Sequence, residues 1–336
     1  MKRVFFLVSI VLFITGCDDS SSVSGPMPSS SYVFVACEGN YGASNGTVYA
    51  IDDYGNTSSI GSLGDVVQSV EVHGDKLFVI VNNSHRIMIY DITEYGISEP
   101  GIEVFTGNSS PREMVVLNEK VYFTNWNTQD VKVLNLFTYQ IESSLVLENL
   151  PEDIITDGEY LYVSMPNLTL NDQNLGSRVV KIDPTSMSVL ETHEVGLGPE
   201  SLLMLNDEIY ISRTNYSADW YTAYYGSSKI ANGVVTVSDY GTGVACGGSI
   251  LVSNNTVYRT YDGGIAPLDG SSLEIDALGR IGDYGSSIYH AESINGLIWL
   301  GLTDNTVRVM NSNGSEVGLY SVGAYPGDFA VWNNQN

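Results

Sequence analysis

Two sets of side chains in this sequence have types and spacings that could do chemistry. The first is rich in carboxamides and aromatic rings: Glu38, Asn40 and Tyr41; Asn82, Asn83 and His85; Asn125, Trp126 and Asn127; then Asn167, Arg213, Asn215, Tyr216, Tyr261, Asp262, Asp304 and Asn305. A carboxamide both donates and accepts hydrogen bonds, and flat rings pack on flat rings, so such a set suits a ligand carrying amides or hydroxyls. The second set is acidic: Asp65, Glu113, Glu152, Asp153, Glu200 and Asp328. Converging carboxylates are hard oxygen donors able to hold Ca²⁺, although Arg112 beside them offers an ion-pair partner and no Asp-rich calcium loop is present. The four histidines, His73, His85, His193 and His290, share no ligand spacing, which argues against a zinc site. Nothing points to a Ser-His-acid triad, and no Walker or Rossmann loop occurs. The chemistry indicated is binding rather than catalysis, with no metal or cofactor required beyond a Ca²⁺ the acidic set could take.

Composition narrows the partners. The 336 residues carry 39 Asp plus Glu against 14 Lys plus Arg, a formal charge of −25. That charge repels phosphate backbones and anionic lipid headgroups, which argues against nucleic acid. With 43% hydrophobic residues the chain has enough apolar side chains for a core. Lys2 and Arg3 precede an apolar run from Val4 to Ile14, the layout of a secretion signal. As a helix this run reaches only ~16 Å against a ~30 Å hydrocarbon core, so it cannot span. The order Ile14-Thr15-Gly16-Cys17 resembles the bacterial lipobox, which implies cleavage before Cys17 and acylation there. The expected organisation is a lipoprotein signal peptide at 1–16, an acylated Cys17 with a flexible Ser/Pro linker to residue 31, and a folded domain over 32–333. Cys37 and Cys246, too few for a disulfide framework, read as small core residues.

The elements that must position these side chains come from a repeat. An aliphatic-aromatic-apolar triplet recurs at Val33-Phe34-Val35, Leu77-Phe78-Val79, Val121-Tyr122-Phe123, Leu161-Tyr162-Val163, Ile209-Tyr210-Ile211, Val257-Tyr258-Arg259 and Leu297-Ile298-Trp299, at spacings of 40 to 48 residues. Turn-forming pairs such as Asn118-Glu119, Asn206-Asp207, Asn254-Asn255 and Asn295-Gly296 precede most triplets, so each is predicted to be the second strand of a hairpin. A third strand follows, often closing on Asp or Asn. Four strands in about 45 residues is the size of a propeller blade. The first unit lacks the strand before its triplet, while Asp328-Phe329-Ala330-Val331-Trp332 reads as a strand with nothing after it. The expectation is an all-β, seven-bladed propeller in which N- and C-terminal strands complete one blade.

The stretches Ala36-Cys37-Glu38-Gly39-Asn40-Tyr41-Gly42, Gly64-Asp65-Val66-Val67-Gln68-Ser69-Val70 and Val79-Ile80-Val81-Asn82-Asn83-Ser84 resemble the YncE-like seven-bladed propeller lipoproteins of Bacteroidetes-type bacteria. Pro111-Arg112-Glu113, Pro151-Glu152-Asp153 and Pro199-Glu200-Ser201, each opening a blade, fit the same pattern. The resemblance implies a lipid-anchored protein of the outer membrane or cell surface; in the BtuG type it implies capture of a corrinoid such as cobalamin beside a TonB-dependent transporter. The residues expected to touch a ligand are Asn40, Tyr41, Asn82, Arg112, Asn125, Trp126, Asn167, Arg213, Tyr216, Trp220, Tyr221 and Tyr261. Two long loops, 165–176 and 213–231, are expected on the same face, the second as an aromatic lid. The alternatives are a protein-interaction scaffold, or a metal-dependent lactonase or lyase built on the acidic set.

Overall fold

The computed structural model describes residues 28–243 and 248–334. Cys17, the signal peptide, most of the linker and Cys246 lie outside them. The described residues form seven small antiparallel sheets, six of four strands and one of three. In blades 2 to 7 the strands run outward in chain order, whereas the innermost strand of blade 1 is the C-terminal Pro326–Asn333, which pairs with Ser31–Cys37. The first strands of successive blades, beginning with Val67–His73 in blade 2 and Pro111–Leu117 in blade 3, neighbour one another and line a central channel. The seven-bladed architecture and its closure are as the repeat requires.

Local sequence explains the blades. Both central residues of the Asn118-Glu119, Asn206-Asp207, Asn254-Asn255 and Asn295-Gly296 turns have positive φ, the geometry that matches the twist of a two-residue hairpin. Second strands such as Lys76–Val81 are buried on both faces because blades cover them from either side. The outermost strand Ser188–Glu194 is mostly exposed. Phe34, Phe78, Phe123 and Leu161 are fully buried between blades, each such side chain contributing roughly 1.5–3 kcal/mol of hydrophobic free energy. Cys37 is a buried core residue with a free thiol.

Hydroxyls latch one blade to the next. Ser69, Thr124 and Ser164 donate to the carbonyls of Arg112, Glu152 and Glu200 at 3.0, 2.6 and 2.8 Å. Ser29 is buried and hydrogen-bonded to Asp53, so the folded unit takes in the last residues of the expected linker. Blade 6 departs from the repeat. Among the described residues its strands Ile250–Ser253, Thr256–Tyr261 and Gly264–Pro267 have no fourth strand; single bridges from Ile265 to Ile281 and from Leu268 to Ile275 stand in its place, with short 3₁₀ turns at Ala277–Gly279 and Gly285–Ser287.

Candidate functional site: the channel funnel

The first strand of most blades opens with a bulge. Register slips between Val67 and Ser69, Pro111 and Met114, Pro199 and Leu202, and Ile288 and His290. A bulge removes residues from the ladder and re-aims their side chains. Here they turn into the channel in two tiers. The upper tier holds Gln68, Arg112, Glu152, Glu200 and Tyr289, with Gly248 and Gly327 at the remaining blades. Below it stand Glu113, Asp153, Ser201, Ser249, His290 and Asp328, all around a cavity of about 390 Å³. The channel continues beneath as a second cavity of about 470 Å³ that shares Glu113, Asp153, Ser201, His290 and Asp328.

The upper tier is a connected polar wall. Arg112 Nε donates to both Glu152 oxygens at 3.1 and 3.2 Å, and Nη1 donates to Gln68 Oε1 at 2.6 Å. Gln68 Nε2 continues to Glu113 at 3.2 Å. The guanidinium lies 4.1 Å from the centre of the Trp126 ring. Burial alone lowers the pKa of Arg112, but Glu152 and the other nearby carboxylates outweigh it and hold the group firmly charged. Across the mouth, Tyr289 donates to Glu38 at 2.6 Å and its ring meets Tyr325 at 5.5 Å.

Acid groups outnumber bases, and burial penalises their ionisation. It raises Asp153 to about 6, against two backbone N–H donors that favour the charged form, and raises Glu200 to about 7 with help from the charge on Glu152. Glu113 is pushed well above the carboxylate range by burial and by Asp328, Asp153 and Glu152. Asp328 reaches about 7 through burial although His290 opposes the shift. Lower in the channel, burial with Asp328 and Glu292 brings Glu71 to about 8. His290, Glu292 and Asp328 place donor atoms within 4.8 Å of one another, a set able to hold a metal ion.

The expected ligand residues separate into three groups. Arg112 and Trp126 belong to the funnel. Asn82, Asn125 and Asn167 are structural: Asn82 donates to the Pro111 carbonyl, Asn125 is wholly buried against Phe123 and Asp130 carbonyls, and Asn167 donates to Asp172 and Asn174. The others lie around the rim. Asn40 is exposed and Tyr41 is 83% exposed; Tyr216 and Trp220 rings stand 5.4 Å apart, and Tyr221 is 92% exposed. Tyr261 ends the second strand of blade 6. Arg213 is buried and pairs with Asp239 beside a separate cavity of about 480 Å³ that also contacts Leu197, Tyr224 and Tyr225.

Neither long loop is loose. Asp172 accepts from the backbone of Leu168, Thr169, Asn174 and Leu175, so segment 166–177 is folded on itself, and its Asn174 reaches Glu200 at 2.8 Å. Segment 213–231 is an extended hairpin rather than a lid: Glu208–Tyr216 and Ala223–Ala231 stay paired out to Tyr216 and Ala223.

Sequence reasoning missed Gln68, Asn174, Tyr289, Tyr325, Glu71 and Glu292. His290-x-Glu292 on a strand, where alternate residues share a face, was the available signal for the channel cluster. The pentapeptide Gly42-Ala43-Ser44-Asn45-Gly46 spells Gly-x-Ser-x-Gly. It does not form a nucleophile elbow, since Ser44 lies in an exposed turn leading into a strand, with no helix after it.

No family model matches the sequence, and no curated protein matches it. Among solved structures it is similar to hydrazine synthase of Kuenenia stuttgartiensis, at 12% identity and a TM-score of 0.60 over 77% of this chain and 88% of that one. It is similar also to AztD of Citrobacter koseri, at 12% identity and 0.55 over 90% and 97%, and to BamB of Moraxella catarrhalis, at 14% and 0.57 over 90% and 86%. At such identities these likenesses show the propeller fold alone.

Proposed function

We propose that this chain is a ligand-capturing propeller, anchored through Cys17 at the outer membrane or cell surface, that binds a polar neutral or cationic ligand at the funnel and passes it to a transporter. The supporting observation is the preformed polar wall of Arg112, Glu152 and Gln68 over a cavity of about 390 Å³, the size of a small-molecule site. Its groups already hold one another in place, so binding needs little reorganisation. Its carboxylates disfavour anions, and Arg112 is committed to Glu152. Trp126, Tyr289 and Tyr325 offer ring surfaces near the mouth.

A corrinoid, the ligand the resemblance implies, is much larger than this cavity. It would rest on the rim against Tyr41, Trp220 and Tyr221, with one carboxamide arm reaching the polar wall. Tryptophan fluorescence titration of the purified protein with cobalamin tests this, with spermidine and glucosamine as cationic probes. Saturable cobalamin binding weakened by Arg112→Ala supports the corrinoid reading. Binding of a cationic probe alone, weakened by Glu152→Gln, keeps the funnel and discards the corrinoid. Binding of any probe that neither variant alters would overturn the funnel as the site, as would no binding at all.

A further inference from the structure

We propose that His290, Glu292 and Asp328 form a binding site for a divalent first-row transition-metal ion, set in the channel wall where the ring closes. The inference does not depend on the ligand reading above. His290 and Glu292 lie two residues apart on Ile288–Ile294, the first strand of blade 7, and so face the same way. Asp328 comes from Pro326–Asn333, the closing strand of blade 1. The site therefore exists only once blades 7 and 1 are side by side.

Three observations support it. The three donors lie within 4.8 Å of one another. His290 Nε2 is a buried atom with no hydrogen-bond partner, and it stands 3.8 Å from Glu292 Oε2. A buried ring nitrogen beside two carboxylates is matched either by a proton, which completes its ion pair with Glu292, or by a metal ion shared with both carboxylates. The surroundings are also built to hold the ligands: the His290 ring packs on Phe329 at 5.6 Å, and Asp328 Oδ2 accepts the Val70 N–H at 2.8 Å. Two ligands on one tetrahedral Zn²⁺ lie about 3.4 Å apart. The His290–Glu292 pair at 3.8 Å and the wider contacts to Asp328 must draw in to reach this, an adjustment that half-buried side chains can make by rotation.

The donor types select the ion. Ca²⁺ takes six to eight oxygens, whereas an imidazole with two carboxylates suits Zn²⁺, Mn²⁺, Fe²⁺ or Ni²⁺. Both channel cavities reach His290 and Asp328, so an ion can enter and a coordination position can stay open to the channel. Bound there, it would tie the first strand of blade 7 to the strand that completes blade 1.

The test is Zn²⁺ uptake by the purified full chain in competition with a chromophoric chelator, with melting temperature followed in parallel. The expected result is about one ion per chain, and a melting temperature raised by Zn²⁺ but not by equal Ca²⁺. His290→Gln and Glu292→Gln should each weaken uptake by more than about 100-fold, since even outer-shell losses cost 10–100-fold; His193→Gln should not. Should either channel variant fail to fold, imidazole ¹⁵N spectra of the unaltered chain give the same answer, because Zn²⁺ must shift the His290 Nε2 resonance. No uptake, uptake insensitive to both channel variants, or shifts confined to the other histidines would overturn the proposal.

Discussion

Arg112 and Arg259 are both largely enclosed arginines near aromatic rings, yet they solve the cost of a buried charge in opposite ways. Arg112 meets a carboxylate, Glu152, and an amide, Gln68, at the wet mouth of the channel. Arg259 has no carboxylate partner among the described residues. It reaches across the seam to the backbone carbonyls of Gly226 and Arg213 in blade 5, with the Tyr225 ring 5.3 Å and the Tyr240 ring 6.0 Å away. Burial lowers its pKa to about 10, whereas Arg112 is raised. A charge balanced by a neighbour beside water is suited to meeting a ligand. One solvated by carbonyls, the Ser227 hydroxyl and rings, with Glu200 acting only at a distance, is a strut, here in the blade that among the described residues has three strands. Breaking a buried polar link costs most where water cannot replace it.

That contrast orders the expected effects. Arg259→Ala should destabilise the fold most, by about 3–5 kcal/mol, since it leaves a cavity and two unmatched carbonyls; chemical denaturation would measure it, and a loss below that of Arg112→Ala would break the comparison. Arg112→Ala should cost about 2 kcal/mol, with water entering the funnel to solvate Glu152. Glu200→Gln sharpens the picture through pH. Because the folded pKa of Glu200, about 7, lies above the ordinary value, the native state holds the proton longer, so its stability contribution is complete below about pH 4.3 and is lost as pH rises towards 7. Melts across pH 4–8 should show this decline flattened in Glu200→Gln, by on the order of 1–2 kcal/mol. Trp126→Ala should have the smallest effect, about 0.5–1 kcal/mol at a half-exposed cation–π contact, visible in thermal melts.

How much of this the sequence disclosed depends on the interaction involved. The blades were legible because a triplet buried on both faces must be apolar, and Val35, Val79, Phe123, Val163 and Ile211 are all such residues in inter-blade cores. Arg259 occupies the same register as a charged residue, a departure that the triplet pattern passed over together with its partners. Five of the six acidic residues were legible as a set, because Pro-x-acid recurs at blade starts; Asp65 instead accepts from the Gly42 N–H and from Asn83 outside the channel lining. The arrangement of those five in two tiers was not legible, because a bulge arises from a mismatch between paired strands and leaves no mark in one strand alone. The asparagines show a related limit: Asn82, Asn125 and Asn167 donate their amide N–H groups to the protein's own backbone and side chains, and residue type does not distinguish that from ligand binding. Segment 213–231 is expected to be a lid from its length and its aromatic residues, and it forms a hairpin because strand pairing extends past the blade's usual length.

The C-terminal strand has a consequence for how the molecule is made. Ala36 hydrogen-bonds in register with Asp328, a contact spanning about 290 residues of chain, the kind whose closure entropy is met late and makes folding slow. On a ribosome this residue emerges after six blades' worth of sequence. Until then the channel has a gap in its wall, and Ser31–Cys37 presents an open edge on the side the closing strand will occupy. Assembly order is thereby tied to function: any chain that lacks its last strand also lacks Asp328, one of the side chains around which the interior of the channel is organised.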